Sequence, residues 1–229
     1  MKTVSDSKRA FFSHYPRPIN SVYRRVIEEL LVEMHLLSVN ADFKIDPIYC
    51  LGVVTAFQRL MQGYEPEKDK TLIFNALCQS IDGNPEAYQA QAGALLNLAK
   101  NKNSEELIAW LSNPTATDDS EKIIEPIKAI ALNPNFKYSR PFAIGLYTLL
   151  EEADNELLKD KDQLNEIVDR IAEVLNIPGD KMKKDLELYR SNLEKIDQLL
   201  KVIEDVLEAS RKQREKRQQE QQAKETAAE

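Results

Sequence analysis

The stretch of residues 46–63 constrains the fold of this chain more than any other. Asp46 and Pro47 supply an N-cap and a proline at the first helical position, and Gly63 supplies a stop, so we predict a helix over residues 47–62. Its first ten residues beyond the proline are almost all apolar and occupy every side of the helix. We therefore expect other helices to surround it. Because an interior glycine costs about 1 kcal/mol, Gly52 predicts a close approach by a neighbouring element.

Residues 20–40 form a second strong pattern, typical of an amphipathic helix with Asn20 or the following serine as its N-cap. Glu33 interrupts the apolar side, and a buried carboxylate needs a partner. We predict a basic neighbour from another helix, with Arg59 as the first candidate; the alternative is that the apolar side is only partly covered. His35 lies on the polar flank and is interpreted as a surface or interface histidine, with a metal or pigment magnesium ligand as the alternative. The apolar side consists of Val22, Tyr23, Val26, Ile27, Leu30, Leu31, Met34 and Leu37.

The rest of the chain also reads as helix, and strand signals are poor. Further helices are predicted over residues 66–81, 85–100, 121–132, 140–154 and 164–175. Asn103 and Glu106 have capping-box spacing and open a short helix, while residues 113–120, NPTATDDS, are predicted to be a loop. Together these patterns predict an all-α fold, a compact multi-helix bundle.

The last element follows a heptad pattern. From Asp180 as N-cap, apolar residues recur at alternating spacings of four and three, which is typical of a coiled coil or of a long helix lying along a bundle. A second apolar stripe that includes Val202 and Val206 favours packing on the domain at first. We expect an N-terminal arm (1–19), a helical bundle (20–179), a long C-terminal helix of coiled-coil character (180–217) and a disordered tail (218–229). The heptad residues are Met182, Leu186, Tyr189, Leu193, Ile196, Leu200, Ile203 and Leu207.

The charge distribution argues against nucleic-acid binding. The formal net charge is −7, and residues 209–229 carry six basic and four acidic groups, which leaves −9 on residues 1–208. An acidic body repels phosphates. The basic cluster at Arg211, Lys212, Arg214, Lys216 and Arg217 is diluted by glutamates and glutamines, so it is interpreted as a solvated helix end, with weak contact to a membrane surface as the alternative.

No motif for catalysis or cofactor binding is present. There is no P-loop and no dinucleotide-binding glycine motif, and two histidines with two separated cysteines make a zinc site a poor prediction. Cys50 and Cys78 are interpreted as buried reduced thiols, with a disulfide or redox pair as the alternative. The acidic run at residues 151–156 is interpreted as a solvated helix end. We predict no enzyme activity, no cofactor and no metal.

Neither terminus nor core suggests membrane insertion. The N-terminal sequence MKTVSDSKRAFFSHYPRP has no apolar segment of signal-peptide length and lacks the bias of an organelle transit peptide. The longest apolar run, residues 48–57, is about half of what a bilayer crossing requires. We expect a soluble protein of a reducing compartment.

Four segments carry a resemblance to a known family. They are SDSKRAFF, YPRPINSVYRRVIEELLVEMHLLSVN, DPIYCLGVVTAFQRLMQGY and NPNFKYSRPFAIGLYTLLE. They closely resemble the thylakoid formation protein family, also called the photosystem II biogenesis family, over about residues 3–210. The resemblance implies a factor associated with thylakoid membranes. The missing transit peptide points to the cyanobacterial type.

The resemblance also implies a mechanism of binding rather than of bond making. The family is linked to photosystem II biogenesis and repair and to the accumulation of membrane-bound FtsH proteases, and it has no established catalytic residues. We expect the body to dock at the cytoplasmic face of the thylakoid and the C-terminal helix to contact a protein partner. The candidate partner-binding residues are Lys201, Glu204, Glu208 and Arg211. The alternative is a carrier of pigment or lipid, and the oligomeric state stays open.

Overall fold

The computed structural model describes residues 2–112, 124–154, 158 and 160–226. All regular structure in these residues is helical, which confirms the all-α prediction. Contacts divide the chain into two units, Met1–Arg190 and Ser191–Glu229. The helices are α1 (Val4–His14), α2 (Ser21–Ser38), α3 (Pro47–Leu60), α4 (Lys68–Gln79), α5 (Pro85–Lys100), α6 (Ser104–Ser112), α7 (Ile124–Ala131), α8 (Arg140–Ala153), α9 (Lys161–Val174) and α10 (Gly179–Thr226).

Helix α3 is the centre of the first unit, as its sequence predicts. Asp46 Oδ1 accepts a hydrogen bond of 2.9 Å from the backbone N–H of Tyr49, and Pro47 occupies the first turn. Every residue from Pro47 to Phe57 is buried. The helix ends at Leu60, two residues before the predicted end, and Gly63 follows with a φ of 73°.

The main neighbour of α3 is α8, and two glycines set how closely they pack. A Cβ placed on Gly52 would lie 1.6 Å from the carbonyl oxygen of Pro141, and one on Gly145 would lie 1.9 Å from that of Ile48. Any larger residue would overlap the backbone of the facing helix. The close approach predicted at Gly52 is therefore confirmed, and it is reciprocal, because each helix places a glycine against the backbone of the other.

Helix α2 is capped by Asn20, whose side chain accepts from the N–H of Val22. Two expectations for this helix are wrong in detail. Val22 is exposed, so the apolar side is narrower than its pattern suggests. His35 is buried, not on the surface, because α1 packs against α2 and covers it. Its Nδ1 lies 2.9 Å from Oγ of Ser7, a residue of α1.

The partner of Glu33 is basic, as predicted, but it is Arg140 and not Arg59. Glu33 Oε1 accepts a hydrogen bond of 3.0 Å from the backbone N–H of Arg140, and its Oε2 lies 4.0 Å from the guanidinium. Arg59 instead forms an ion pair with Glu151 of α8. Glu151, expected in a solvated helix end, is thus half-buried against α3.

The remaining helices follow the sequence with shifted ends. Asn103 and Glu106 form the predicted capping box at the start of α6. Asp160 caps α9, which begins before the predicted residue 164, and α4 begins two residues after residue 66. The predicted loop at residues 113–120 lies outside the described residues, as does the start of the helix predicted from residue 121.

The start of α10 belongs to the first unit. Met182, Leu186 and Tyr189, the first three heptad residues, are buried there. The helix begins at Gly179, so Asp180 is its second residue and not its N-cap. The first part of the heptad pattern therefore contributes to the globular core.

Candidate functional site

The four candidate partner-binding residues lie on α10 within the second unit. Lys201, Glu204, Glu208 and Arg211 are all exposed. Their spacings of three, four and three residues place them along one side of the helix. Glu208 Oε1 forms an ion pair of 2.7 Å with Lys212. They make a continuous charged stripe of mixed sign, which we call the charged stripe.

An apolar strip follows the same part of α10. Val202, Ile203 and Val206 are 57%, 43% and 57% exposed. At 100° per residue, Val202 and Val206 lie on the side of the helix away from the charged stripe. These two valines of the second apolar stripe are therefore exposed and not buried. Their helical spacing predicts an apolar surface, but spacing alone does not tell whether that surface is buried.

One buried pair resembles part of a catalytic site but is a structural contact. Ser7 Oγ and His35 Nδ1 lie at hydrogen-bonding distance, the usual arrangement of a nucleophile and its base. Both side chains are buried, and a substrate cannot reach a serine that has no exposed surface. The sequence offers no cue to this pair, because the two residues lie on different helices 28 positions apart.

Burial makes the two cysteines poor candidates for metal ligands. Cys50 and Cys78 are buried free thiols, and burial raises the pKa of each; for Cys78 it reaches about 12. Such thiols are protonated at neutral pH and poor ligands. Over the residues that the structure describes, no group of three or more His, Cys, Asp or Glu side chains is placed to hold an ion.

A polar cluster joins α2, the start of α8 and the start of α10. Arg140 Nε lies 3.5 Å from Asp185 Oδ1, and the Tyr138 hydroxyl donates a 2.8 Å hydrogen bond to Asp185 Oδ2. Burial raises the pKa of Glu33 above its usual value, while the charge of Arg140 opposes that rise. Two carboxylates thus share one guanidinium, which positions the helices but leaves little room for a ligand.

The first unit has a surface cavity of about 260 Å³ between α3, α4 and α5. Pockets for small ligands and cofactors usually measure about 300–1,000 Å³ and enclose most of the ligand. This cavity is smaller and open, so it offers no support for a pigment or lipid carrier. A carrier would need an enclosed apolar space of several times this volume.

The described residues contain no candidate for a membrane-spanning segment. No helix there is both long enough and apolar enough to cross a bilayer.

The chain is similar to proteins of known family. The sequence profile of the family described as thylakoid formation protein matches residues 3–218. Protein Thf1 of Gloeothece citriformis is 55% identical over 216 residues, covering 94% of this chain and 96% of that protein. Protein Thf1 of Nostoc punctiforme is 54% identical over 219 residues, covering 96% and 93%.

A solved structure of Psb29 has a similar fold. It shares 43% sequence identity with this chain at a TM-score of 0.72, and the match covers 86% of this chain and 99% of that structure. Sequence and structure comparisons agree with the resemblance read from the four segments. The chain belongs to the thylakoid formation protein family, and this membership implies a role in thylakoid formation and photosystem II biogenesis.

Proposed function

We propose that this protein is a non-enzymatic accessory factor that acts in photosystem II biogenesis and repair by binding protein partners, with the membrane-bound FtsH protease complex as its principal partner. The docking element is the part of α10 beyond Arg190. The observation that supports this proposal is the surface of that part, where a charged stripe and a strip of exposed valines and isoleucine lie on one helix.

This part of α10 offers a partner two kinds of surface, which lie on opposite sides of the helix. Apolar residues supply the area removed from water on binding, and charged residues supply orientation and association rate. Lys201 and Arg211 flank Glu204 and Glu208 along the stripe, so it favours a partner with charges of both signs in matching register. Exposed rim charges act mainly on association rate, which predicts binding that weakens with salt.

Truncations test whether α10 is the docking element. A chain ending at Arg190 keeps Met182, Leu186 and Tyr189 in the core but removes the charged stripe and the exposed valines. We expect this chain to remain folded, as measured by circular dichroism. In a pull-down from solubilised thylakoid membranes, it should recover much less FtsH protease than the full chain. A chain ending at Ala209 keeps most of the stripe and should recover an intermediate amount. Undiminished recovery by both chains would refute the proposal.

A second variant separates the charged stripe from the helix that carries it. Reversing all four charges, Lys201→Glu, Glu204→Lys, Glu208→Lys and Arg211→Glu, keeps the helix and its net charge but inverts the pattern. We expect FtsH recovery to fall at least about tenfold, since like charges then face each other. The matched control reverses the ion pair Lys161 and Glu187 in the first unit, which is also exposed. Equal losses in both variants would count against a specific role for the stripe.

We also propose peripheral contact with the cytoplasmic face of the thylakoid. The support is the basic character of α10 from Arg211 onward, because each lysine or arginine near an anionic membrane surface adds about 1 kcal/mol of attraction. The test is flotation with vesicles of anionic or neutral lipid. Binding should require anionic lipid and disappear in the chain ending at Ala209. Binding that persists in that chain would place the contact elsewhere.

A further inference from the structure

The cavity between α3, α4 and α5 combines an apolar floor with polar edges, and the proposed docking role of α10 does not use it. Its floor is formed by Val54, Phe57 and Phe74, all buried, and the two phenylalanine rings lie 5.1 Å apart. Its rim carries the exposed side chains of Gln58, Thr71 and Gln89. A ligand seated here would place an apolar group on the rings and polar groups at the rim.

The wall of the cavity holds a cation in an unusual setting. Lys70 is only 20% exposed, and its Nζ lies 2.8 Å from the carboxylate of Glu67, whose own side chain is 74% exposed. The two residues are one helical turn apart. Because the Glu67 carboxylate is exposed to water, it returns to solvent easily, so an incoming carboxylate could replace it at modest cost. The lysine is thus a largely buried cation whose present partner is exchangeable.

The glutamines add a different kind of recognition. Each side-chain amide of Gln58 and Gln89 offers two donors on nitrogen and an acceptor oxygen, which is the complement of a backbone peptide group. The cavity of about 260 Å³ has room for one large apolar side chain but not for a cofactor. Within a single residue, an apolar side chain, a peptide group and a carboxylate occur together only at the carboxyl terminus of a chain.

We propose that this cavity binds the carboxyl terminus of a peptide or protein that ends in a large apolar or aromatic residue. The terminal side chain rests on Phe57 and Phe74, the terminal carboxylate pairs with Lys70 in place of Glu67, and the last peptide group bonds with Gln58 and Gln89. In the free protein Glu67 acts as a stand-in for the ligand carboxylate.

The proposal is tested by titrating the full, isotope-labelled chain with N-acetyl-glycyl-phenylalanine and following backbone amide signals by NMR. We expect saturable shifts confined to residues around the cavity, with a dissociation constant below about 10 mM. The same compound with a carboxamide terminus should bind at least about fivefold more weakly, because it has no charge for Lys70. Shifts that do not saturate, or equal binding of acid and amide, would overturn the proposal.

Two variants with opposite expected signs make the test specific. Lys70→Gln should abolish the preference for the acid over the amide. Glu67→Gln should tighten binding of the acid by about two- to fivefold, because it removes the competing carboxylate. Lys68→Gln, an exposed lysine of the same helix outside the cavity lining, is the matched control and should change neither value. If Glu67→Gln weakens binding, or if Lys68→Gln acts like Lys70→Gln, the assignment is wrong. These outcomes do not depend on FtsH recovery, so they are separate from the test of the docking role.

Discussion

The crossing of α3 and α8 and the part of α10 beyond Arg190 use apolar residues in opposite ways. In the crossing, apolar side chains are buried and two glycines bring the backbones together. On that part of α10, Val202, Ile203 and Val206 are exposed, and the two valines lie on the side of the helix away from the charged stripe. A helical apolar pattern thus identifies an apolar surface, and only the fold decides whether the chain itself buries it.

The largest effect on stability is expected from adding a side chain at either glycine where α3 and α8 pack together. Gly52→Ala or Gly145→Ala would drive a methyl group into the facing backbone, and we expect a loss of about 3–5 kcal/mol in the free energy of unfolding, or failure to fold. Gly93→Ala is the control, because a Cβ there meets nothing within 4 Å. In the middle of α5 it should stabilise by about 0.5–1 kcal/mol. Urea unfolding followed by circular dichroism measures all three, and a tolerated Gly52→Ala would contradict the packing.

The two parts of α10 can be compared directly by truncating one side chain in each. Leu186→Ala removes a buried residue and should cost about 2–5 kcal/mol, as large-to-small core substitutions do. Val206→Ala removes an exposed residue and should change stability by less than about 0.5 kcal/mol. Both follow from urea unfolding of the full chain. Similar costs for the two would show that Val206 is covered in solution.

The N-cap of α3 gives a prediction that depends on pH. Burial raises the pKa of Asp46 to about 7, against opposing hydrogen bonds from the backbone N–H groups of Tyr49 and Ile48. Because the native state then holds a proton that the unfolded state releases near pH 4, stability falls as pH rises from about 4 to 7 and stays low above it. Asp46→Asn keeps a capping side chain without the charge.

We expect Asp46→Asn to be more stable than the parent chain by about 1–3 kcal/mol at pH 8, and the gain to shrink toward pH 4. Thermal unfolding across this pH range is the measurement. Asp160→Asn is the control, since Asp160 caps α9 from an exposed position and should show no comparable pH-dependent gain. A gain for Asp46→Asn that is independent of pH would exclude the buried charge as its cause.

The smallest effect on stability is expected at the charged stripe of α10. Replacing Lys201, Glu204, Glu208 and Arg211 together by alanine should change the free energy of unfolding by less than about 1 kcal/mol, because exposed ion pairs contribute little. Urea unfolding checks this. A large loss of stability would mean that the stripe serves the fold, and a binding defect of the charge-reversed chain would then need another explanation.

Much of the fold follows from local chemistry, and this is why the sequence predicts it well. Asn20, Asp46, Asn84 and Ser139 each cap the helix that follows, through a side chain that bonds to a backbone N–H two or three residues ahead. Such contacts are visible in a few residues of sequence. The apolar character of α3 on every side likewise predicts its central position without any knowledge of its neighbours.

Contacts between distant residues are where the sequence interpretation was wrong. Glu33 needed a cation, but Arg140 lies 107 residues away, and nothing local distinguishes it from Arg59. The sequence around His35 favours a surface position. It gives no sign of the hydrogen bond with Ser7, which lies on another helix. The charged stripe follows from charge and position along α10 and stays a prediction as a partner-binding site. The exposure of Val202 and Val206 does not follow from the sequence, because spacing does not report what lies opposite a helix.

The central place of α3 has a consequence for how the protein is made. Roughly 80 residues separate the end of α3 at Leu60 from the start of α8 at Arg140, so at about 5–20 residues per second α3 leaves the ribosome several seconds before its main partner is synthesised. During that interval a helix apolar on all sides lacks its main partner and can be covered only by neighbours made before α8, such as α2, α4 and α5. We therefore expect nascent chains that end before α8 to bind chaperones strongly, and chains that extend past Ala153 to be released.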